Sequence, residues 1–119
     1  MNKYKAQKTT YDGIKFDSIL ESVIYRELKR MLNVGTIQSL ELQVPYILLD
    51  KFTNCVGRKI QAIKYRADFL VQKHDQDYVI DSKGCITSIF KLKMKMFEQR
   101  YNKQLHIVKT VSDVRLLLL

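Results

Sequence analysis

Apolar residues Ile19, Leu20, Val23, Ile24, Leu28, Met31 and Leu32 recur at three- and four-residue intervals, which predicts an amphipathic helix. Asp17 or Ser18 can cap it, Ser18 with Glu21 matches a capping box, and Gly35 is a stop. From Thr36 the period shortens. Ile37, Leu40, Leu42, Val44, Tyr46 and Ile47 to Leu49 predict one or two strands, with Pro45 at an edge or bulge. A turn at Asn54 to Gly57 leads to a long strand over Lys59 to Val71. A polar loop, Lys73 to Asp77, precedes a short strand from Tyr78 to Asp81, which Gly84 breaks. Ser88 to Tyr101 predicts a second helix with Ile89, Leu92, Met96 and Phe97 on one stripe. Leu105 to Val108 is a strand, and Val111 to Leu119 a short terminal helix. Helix, three strands, helix, strand, helix is the order of an α/β chain, a mixed sheet flanked by helices.

Length changes this picture little: 119 residues make one domain, since a second core would need roughly another hundred. Residues 1–12 are expected to be a flexible basic arm, with Lys3, Lys5 and Lys8 and no acid before Asp12, and residues 13–119 the domain. Hydrophobic residues at 46% and charged residues at 28% suit a soluble globular protein. No run approaches the ~20 apolar residues of a membrane span, and the polar N-terminus carries no leader pattern. A cytoplasmic protein is expected, acting in the host cytoplasm if phage-borne. Cys55 and Cys85 form no disulfide framework, and His74 and His106 are too few and too distant for a histidine zinc site.

Charge does change it. Lys and Arg number 21 against 12 Asp and Glu, a net +9, so the chain attracts polyanions and suits nucleic acid as a partner. From Lys83 to Lys109 there are seven basic residues and one acid, Glu98. Lys91, Lys93 and Lys95 lie on the second helix, with Arg100 and Lys103 beyond. Lys91 and Lys95 share a face at i, i+4, where like charges disfavour a helix unless an anion covers them. That face is either solvated or tracks phosphates. Thr87 and Ser88 can cap the helix or donate to a backbone phosphate.

The chemistry-bearing stretch is Ala67-Asp68-Phe69-Leu70, followed thirteen residues later by Asp81-Ser82-Lys83. On a strand, Asp81 and Lys83 project together and Ser82 away. With Asp68 on the adjacent antiparallel strand, two carboxylates and an ammonium converge. Hard carboxylate oxygens hold Mg2+, with Mn2+ able to substitute, and lysine can orient or activate an attacking water. The plainer reading is a salt pair at a strand end and an exposed turn aspartate. Apolar residues before both aspartates, the glycine after the lysine and the basic chain favour the first.

These residues resemble the Asp-(x)n-(Asp/Glu)-x-Lys, or PD-(D/E)xK, nuclease superfamily with its restriction-endonuclease-like core. Tyr65-Arg66-Ala67-Asp68-Phe69-Leu70 stands where that family has Pro-Asp-Phe, and Asp81-Ser82-Lys83-Gly84 where it has Glu-x-Lys-Gly. Phe16 to Glu21 and Gln43-Val44-Pro45-Tyr46-Ile47 are similar to phage Holliday-junction resolvases of the endonuclease I type. The chain also resembles a small phage family of unknown function, through Thr9 to Gly13 and Lys83 to Thr87. Ala67 replaces the usual proline, and Asp81 the commoner glutamate.

The resemblance implies that Glu21 enters the site as a third carboxylate; alternatively Glu21 only completes the capping box. Gln43 bonds a metal-bound water or a phosphate, or is an ordinary strand residue. Glu27 falls within the apolar face, as an outlying acid of the site or the partner of a buried lysine. The expected activity is that of a metal-dependent endonuclease cutting branched DNA, a four-way junction first. Asp68 and Asp81 hold the metal, Glu21 and the Ser82 carbonyl assist, and Lys83 positions the water. Two strands to cut suggest a homodimer, for which Leu116 to Leu119 offer an apolar patch unless that tail packs in its own core. The rivals are another nuclease on the same fold and a basic DNA-binding or regulatory protein that does not cut.

Overall fold

The first helix begins where its sequence says it should: the Ser18 side chain accepts a hydrogen bond from the Glu21 N–H at 3.0 Å. A computed structural model describes residues 7–119. In chain order these form β1 Thr9–Tyr11, β2 Ile14–Phe16, α1 Ile19–Asn33, β3 Ser39–Leu49, β4 Phe52–Thr53 and β5 Lys59–Ile60. There follow β6 Ile63–Lys73, β7 Gln76–Ser82, α2 Ser88–Tyr101, β8 Leu105–Val108 and α3 Val111–Leu118. The main sheet has the order β3-β6-β7-β8. Its first three strands are antiparallel, and β8 lies parallel to β7 because α2 carries the chain back between them.

The mixed sheet flanked by helices is the architecture expected. On one face α1 and α3 bury Ile24, Leu28, Met31, Val114 and Leu118 against Phe69 and Ile80. On the other, α2 buries Phe90 and Phe97 against Tyr65, Ala67, Val79 and Leu105. The stripe expected on α2 is rotated: Ile89 and Leu92 are exposed, and Phe90 with Phe97 faces the sheet.

Within the stretch expected to be an arm, the described residues include a strand. Thr9–Tyr11 pairs with Ile14–Phe16 through Asp12 and Gly13, both at positive φ, the Asp-Gly signature of a tight hairpin. Tyr25 Oη donates to Asp12 Oδ2 at 3.1 Å and ties this hairpin to α1. Lys3 and Lys5 lie outside the described residues. The loop expected from Lys73 to Asp77 is also shorter. Lys73 pairs with Gln76, and His74 and Asp75 turn the chain at φ 50° and 64°. The strand expected over Lys59 to Val71 is interrupted at Gln61 and Ala62.

One feature of the sheet positions the site. In β3, Leu40 and Leu42 pack under α1, whereas Tyr46 and Leu48 pack under α2. In β6, Phe69 and Val71 belong to the α1 side and Tyr65 and Ala67 to the α2 side. Residues of one parity share a face in a regular strand, so both strands reverse face between these pairs. The reversal falls at Gln43, at φ 55°, and at Asp68 beside it.

Glu27 is buried, and it is tied to two arginines rather than to a lysine. Arg30 Nε and Arg115 Nε each lie 2.7 Å from one of its oxygens, which joins α1 to α3 and holds the carboxyl below its usual range. Glu27 therefore stands apart from the site. Glu27→Ala is expected to cost about 1–3 kcal/mol, because it leaves two cations facing a buried gap. Urea unfolding checks this.

Candidate functional site

Asp68 and Asp81 meet at the end of β7 and are interlocked through the backbone. The Asp68 N–H donates to Asp81 Oδ1 at 3.1 Å. In return the Ser82 N–H donates to Asp68 Oδ2 at 3.0 Å, and the Ser82 hydroxyl donates to the same oxygen at 2.8 Å. Ser82 therefore does not point away, as strict alternation predicts; its hydroxyl orients Asp68. Pairing between β6 and β7 ends at Phe69–Ile80, and the freed backbone beyond it supplies these donors.

Glu21 reaches the cluster from the first turn of α1. Gln43 Nε2 donates to Glu21 Oε1 at 2.8 Å and lies 3.5 Å from Asp68 Oδ1. The Glu21 side chain is thus committed to the cluster and does not close a capping box, and Gln43 is not an ordinary strand residue. Lys83 Nζ lies 3.3 Å from Asp81 Oδ2 and 4.8 Å from the centre of the Phe90 ring. The approach to Asp81 is an ion pair off hydrogen-bond geometry: Oδ2 is buried and accepts no hydrogen bond. The buried Tyr65 hydroxyl is likewise unpartnered. Burial and then the Asp81 charge raise that phenol's pKa.

Three carboxylates thus share a site with one ammonium. Burial first, then the Asp68 charge, pushes Glu21 up to about 7, with Asp17 adding to it and the Gln43 hydrogen bond opposing. Burial and the Asp68 charge push Asp81 up to about 7 as well, against the pull of Lys83. Glu21, Asp68, Ser82 and Lys83 line a cleft of about 450 Å³ together with Asp17, Ser18, Gly84 and Cys85, while Asp81 is buried. A wider concavity of about 520 Å³ between β8 and α3 has no such cluster, only Asp113 engaged in the α3 cap. Chemistry rather than size therefore selects the cleft.

The donor set suits a hard divalent cation: carboxylate oxygens, one of them buried without a donor, under mutual repulsion. Among the described residues no three Asp, Glu, His or Cys side chains are yet gathered as a finished cage. The Gln43 amide sits between Glu21 and Asp68, and Ser82 occupies Asp68 Oδ2. An incoming cation would have to displace the Gln43 amide. Glu21, Asp68 and Asp81 would hold it. The Ser82 carbonyl, expected as a ligand, has its own amide and hydroxyl already directed at Asp68.

The basic residues expected on DNA divide. Lys91 and Lys95 are exposed on α2 and Lys93 is half-buried. Arg100 is paired with Asp50 at 2.9 Å and Lys103 with Asp77 at 3.6 Å, so both are drawn into protein contacts. Thr87 caps α2 by accepting from the Phe90 N–H, while Ser88 is exposed. Sequence reasoning missed three neighbours of the site. Asp17 was weighed only as a cap, Tyr65 opens the stretch that leads to Asp68 but was given no part in the site, and Phe90 carried no signal.

Comparison with known proteins adds a family without a function. A family model described as "Protein of unknown function (DUF1064)" matches residues 1–114. No curated protein and no solved structure matches the chain. No helix among the described residues is long and apolar enough to cross a membrane.

Proposed function

We propose that this protein, which belongs to the DUF1064 family, is a metal-dependent endonuclease that hydrolyses phosphodiester bonds in branched DNA. One observation carries the reading: Glu21, Asp68 and Lys83, from α1, β6 and the residue after β7, line one open cleft, and the buried Asp81 touches both Asp68 and Lys83. Glu27 has two arginines for one carboxylate, whereas this cluster sets three carboxylates against one ammonium and leaves a buried carboxylate oxygen without a hydrogen bond.

A bound Mg2+ or Mn2+ would supply Lewis-acid polarisation of the scissile phosphate and a more acidic water. The chain's own groups supply the rest. Asp68 and Asp81 are held rigid by the three hydrogen bonds that interlock them, so their oxygens need little reorganisation. Lys83 is half-exposed at the cleft, where its ammonium can orient a water or neutralise charge building on phosphate oxygens. The Phe90 ring beneath Lys83 confines the ammonium to that side. The exposed Lys91 and Lys95 would carry a DNA backbone past the cleft. Cutting both strands of a four-way junction asks for two such sites, and the exposed Leu116 and Leu119 would serve a homodimer.

The test is cleavage of junction, flap and linear duplex DNA by wild type and Asp68→Ala with Mg2+ or Mn2+. Wild type is expected to cut the branched substrates first. Asp68→Ala should lose at least about a hundredfold in rate while binding junctions in EDTA within a few-fold of wild type. Wild type that cuts none of these with either metal would leave a basic DNA-binding protein instead.

A further inference from the structure

Beyond the cleft, β3 and β6 leave the sheet. β6 pairs with β7 only from Phe69 to Lys73, yet its pairing with β3 continues to Leu49 and Ile63. Residues 44–49 and 63–67 therefore project as a two-stranded ribbon, extended by the β4–β5 hairpin. The hairpin tip is built rather than loose. The Asn54 side chain accepts from the N–H groups of Val56 and Arg58, and Gly57 turns at φ 82°.

One face of the ribbon is covered. Tyr46 and Tyr65 stack edge-on against Phe97, and Tyr101 Oη donates to the Ile47 carbonyl, so α2 props this side. The cross-strand neighbours Ile47 and Lys64 face away from α2 and are exposed. Between Val44 and Ala67 there are five basic residues, Lys51, Arg58, Lys59, Lys64 and Arg66, all exposed, and one acid, Asp50. Asp50 is already paired with Arg100. Lys51, Lys59 and Lys64 flank a concavity of about 680 Å³ beside the exposed Phe52.

We propose that this ribbon and hairpin form a second nucleic-acid surface, which grips a duplex arm of the DNA whose strand lies in the cleft. Size and charge carry the assignment. A two-stranded ribbon fits the major groove of B-DNA, and cations two residues apart on a strand are roughly 6.6 Å apart, close to two phosphate rises. Lys64 lies four residues along β6 from Asp68, roughly 13 Å. A duplex leaving the cleft therefore meets the ribbon within about four base pairs. The surface is distinct from the lysines of α2 and was invisible in the sequence, where its cations are spread over two strands and two connecting segments.

The choice of DNA as the polyanion rests on the nuclease reading, but grip and cleavage are separate measurements. Binding of linear duplex, junction DNA and duplex RNA is followed by fluorescence anisotropy in EDTA, between about 50 and 200 mM salt. The variants are the triple Arg58→Ala, Lys59→Ala, Lys64→Ala and the single Lys109→Ala as a charge control on another face. The triple variant should keep its circular dichroism and melting temperature. It should bind both DNAs at least about tenfold more weakly, with a log–log salt slope reduced by about 2 to 3. An unchanged slope, an equal loss in Lys109→Ala, tighter binding to duplex RNA, or no DNA binding by wild type each overturns the proposal. Wild type that binds through the ribbon yet cuts nothing would sink the nuclease reading and leave the ribbon standing.

Discussion

Asp81→Asn is expected to destroy metal-dependent activity and yet to stabilise the metal-free protein. Cleavage should fall at least about a thousandfold, since a member of a group that acts as one unit is removed. Stability should move the other way at high pH. Asp81 and Glu21 are both pushed up to about 7 in the fold, by burial first and the Asp68 charge second. A carboxyl whose folded pKa exceeds its unfolded one stabilises fully below the unfolded value, about 4, and loses that contribution as pH rises through about 7. Metal-free wild type therefore carries a penalty above neutrality that the Asp81→Asn variant would not. The asparagine keeps the acceptor that the Asp68 N–H uses and removes the charge that repels Asp68.

Thermal unfolding in EDTA at about pH 5 and pH 8 checks the sign. The two proteins should melt alike at the lower pH, and the variant should melt several degrees higher at the upper one. Adding Mn2+ at the higher pH should raise wild type and leave the variant behind, because an ion that binds only the fold stabilises it by mass action. A variant that is less stable than wild type in EDTA at both pH values would show that the Asp81 charge is compensated without a metal. Glu27 and Asp113 work in the opposite sense: neighbours hold them below their usual values, so what they contribute is lost on acidification. Comparing the variant with wild type, rather than following wild type alone, removes their part.

The other large effect lies in the core. Phe97→Ala is expected to cost about 3–5 kcal/mol, a large part of the 5–15 kcal/mol typical of a domain. Phe97 is fully buried, and Tyr46, Tyr65 and Tyr101 all pack on its ring. Truncating it removes the prop under the ribbon as well as core volume. The midpoint should fall by about 12 °C or more, and hydrogen exchange of Tyr46 and Tyr65 should rise ahead of that of Phe69. Equal exchange at the three positions would mean that ribbon and sheet unfold together.

Much of the molecule was legible before any coordinate. Three helices were readable because apolar spacing and short side-chain caps are local: Ser18, Thr87 and Thr110 each accept from the amide three residues on. Asp68, Asp81 and Lys83 could be picked out because a short turn joins the two antiparallel strands that carry the aspartates and Lys83 directly follows the second. The stripe on α2 was half misassigned: Met96 and Phe97 pack toward the sheet as expected, but Ile89 and Leu92, which fit helical spacing as well as Phe90 does, are exposed. Only contact with the sheet decides between two apolar faces.

The sequence by itself determined the order of the three helices and the four strands of the main sheet, though not the two small hairpins, together with the basic charge and the two aspartates with their lysine, since each is written in neighbouring residues. Tertiary structure alone decided that β3 and β6 reverse face at Gln43 and Asp68, turning Gln43 toward Glu21. It also decided that Ser82 grips Asp68, that Arg100 and Lys103 are taken by Asp50 and Asp77, and that Lys51, Lys59 and Lys64 flank one concavity. The physical reason is range: caps and periodicity act over a few residues, whereas charge pairing and strand twist join groups tens of residues apart.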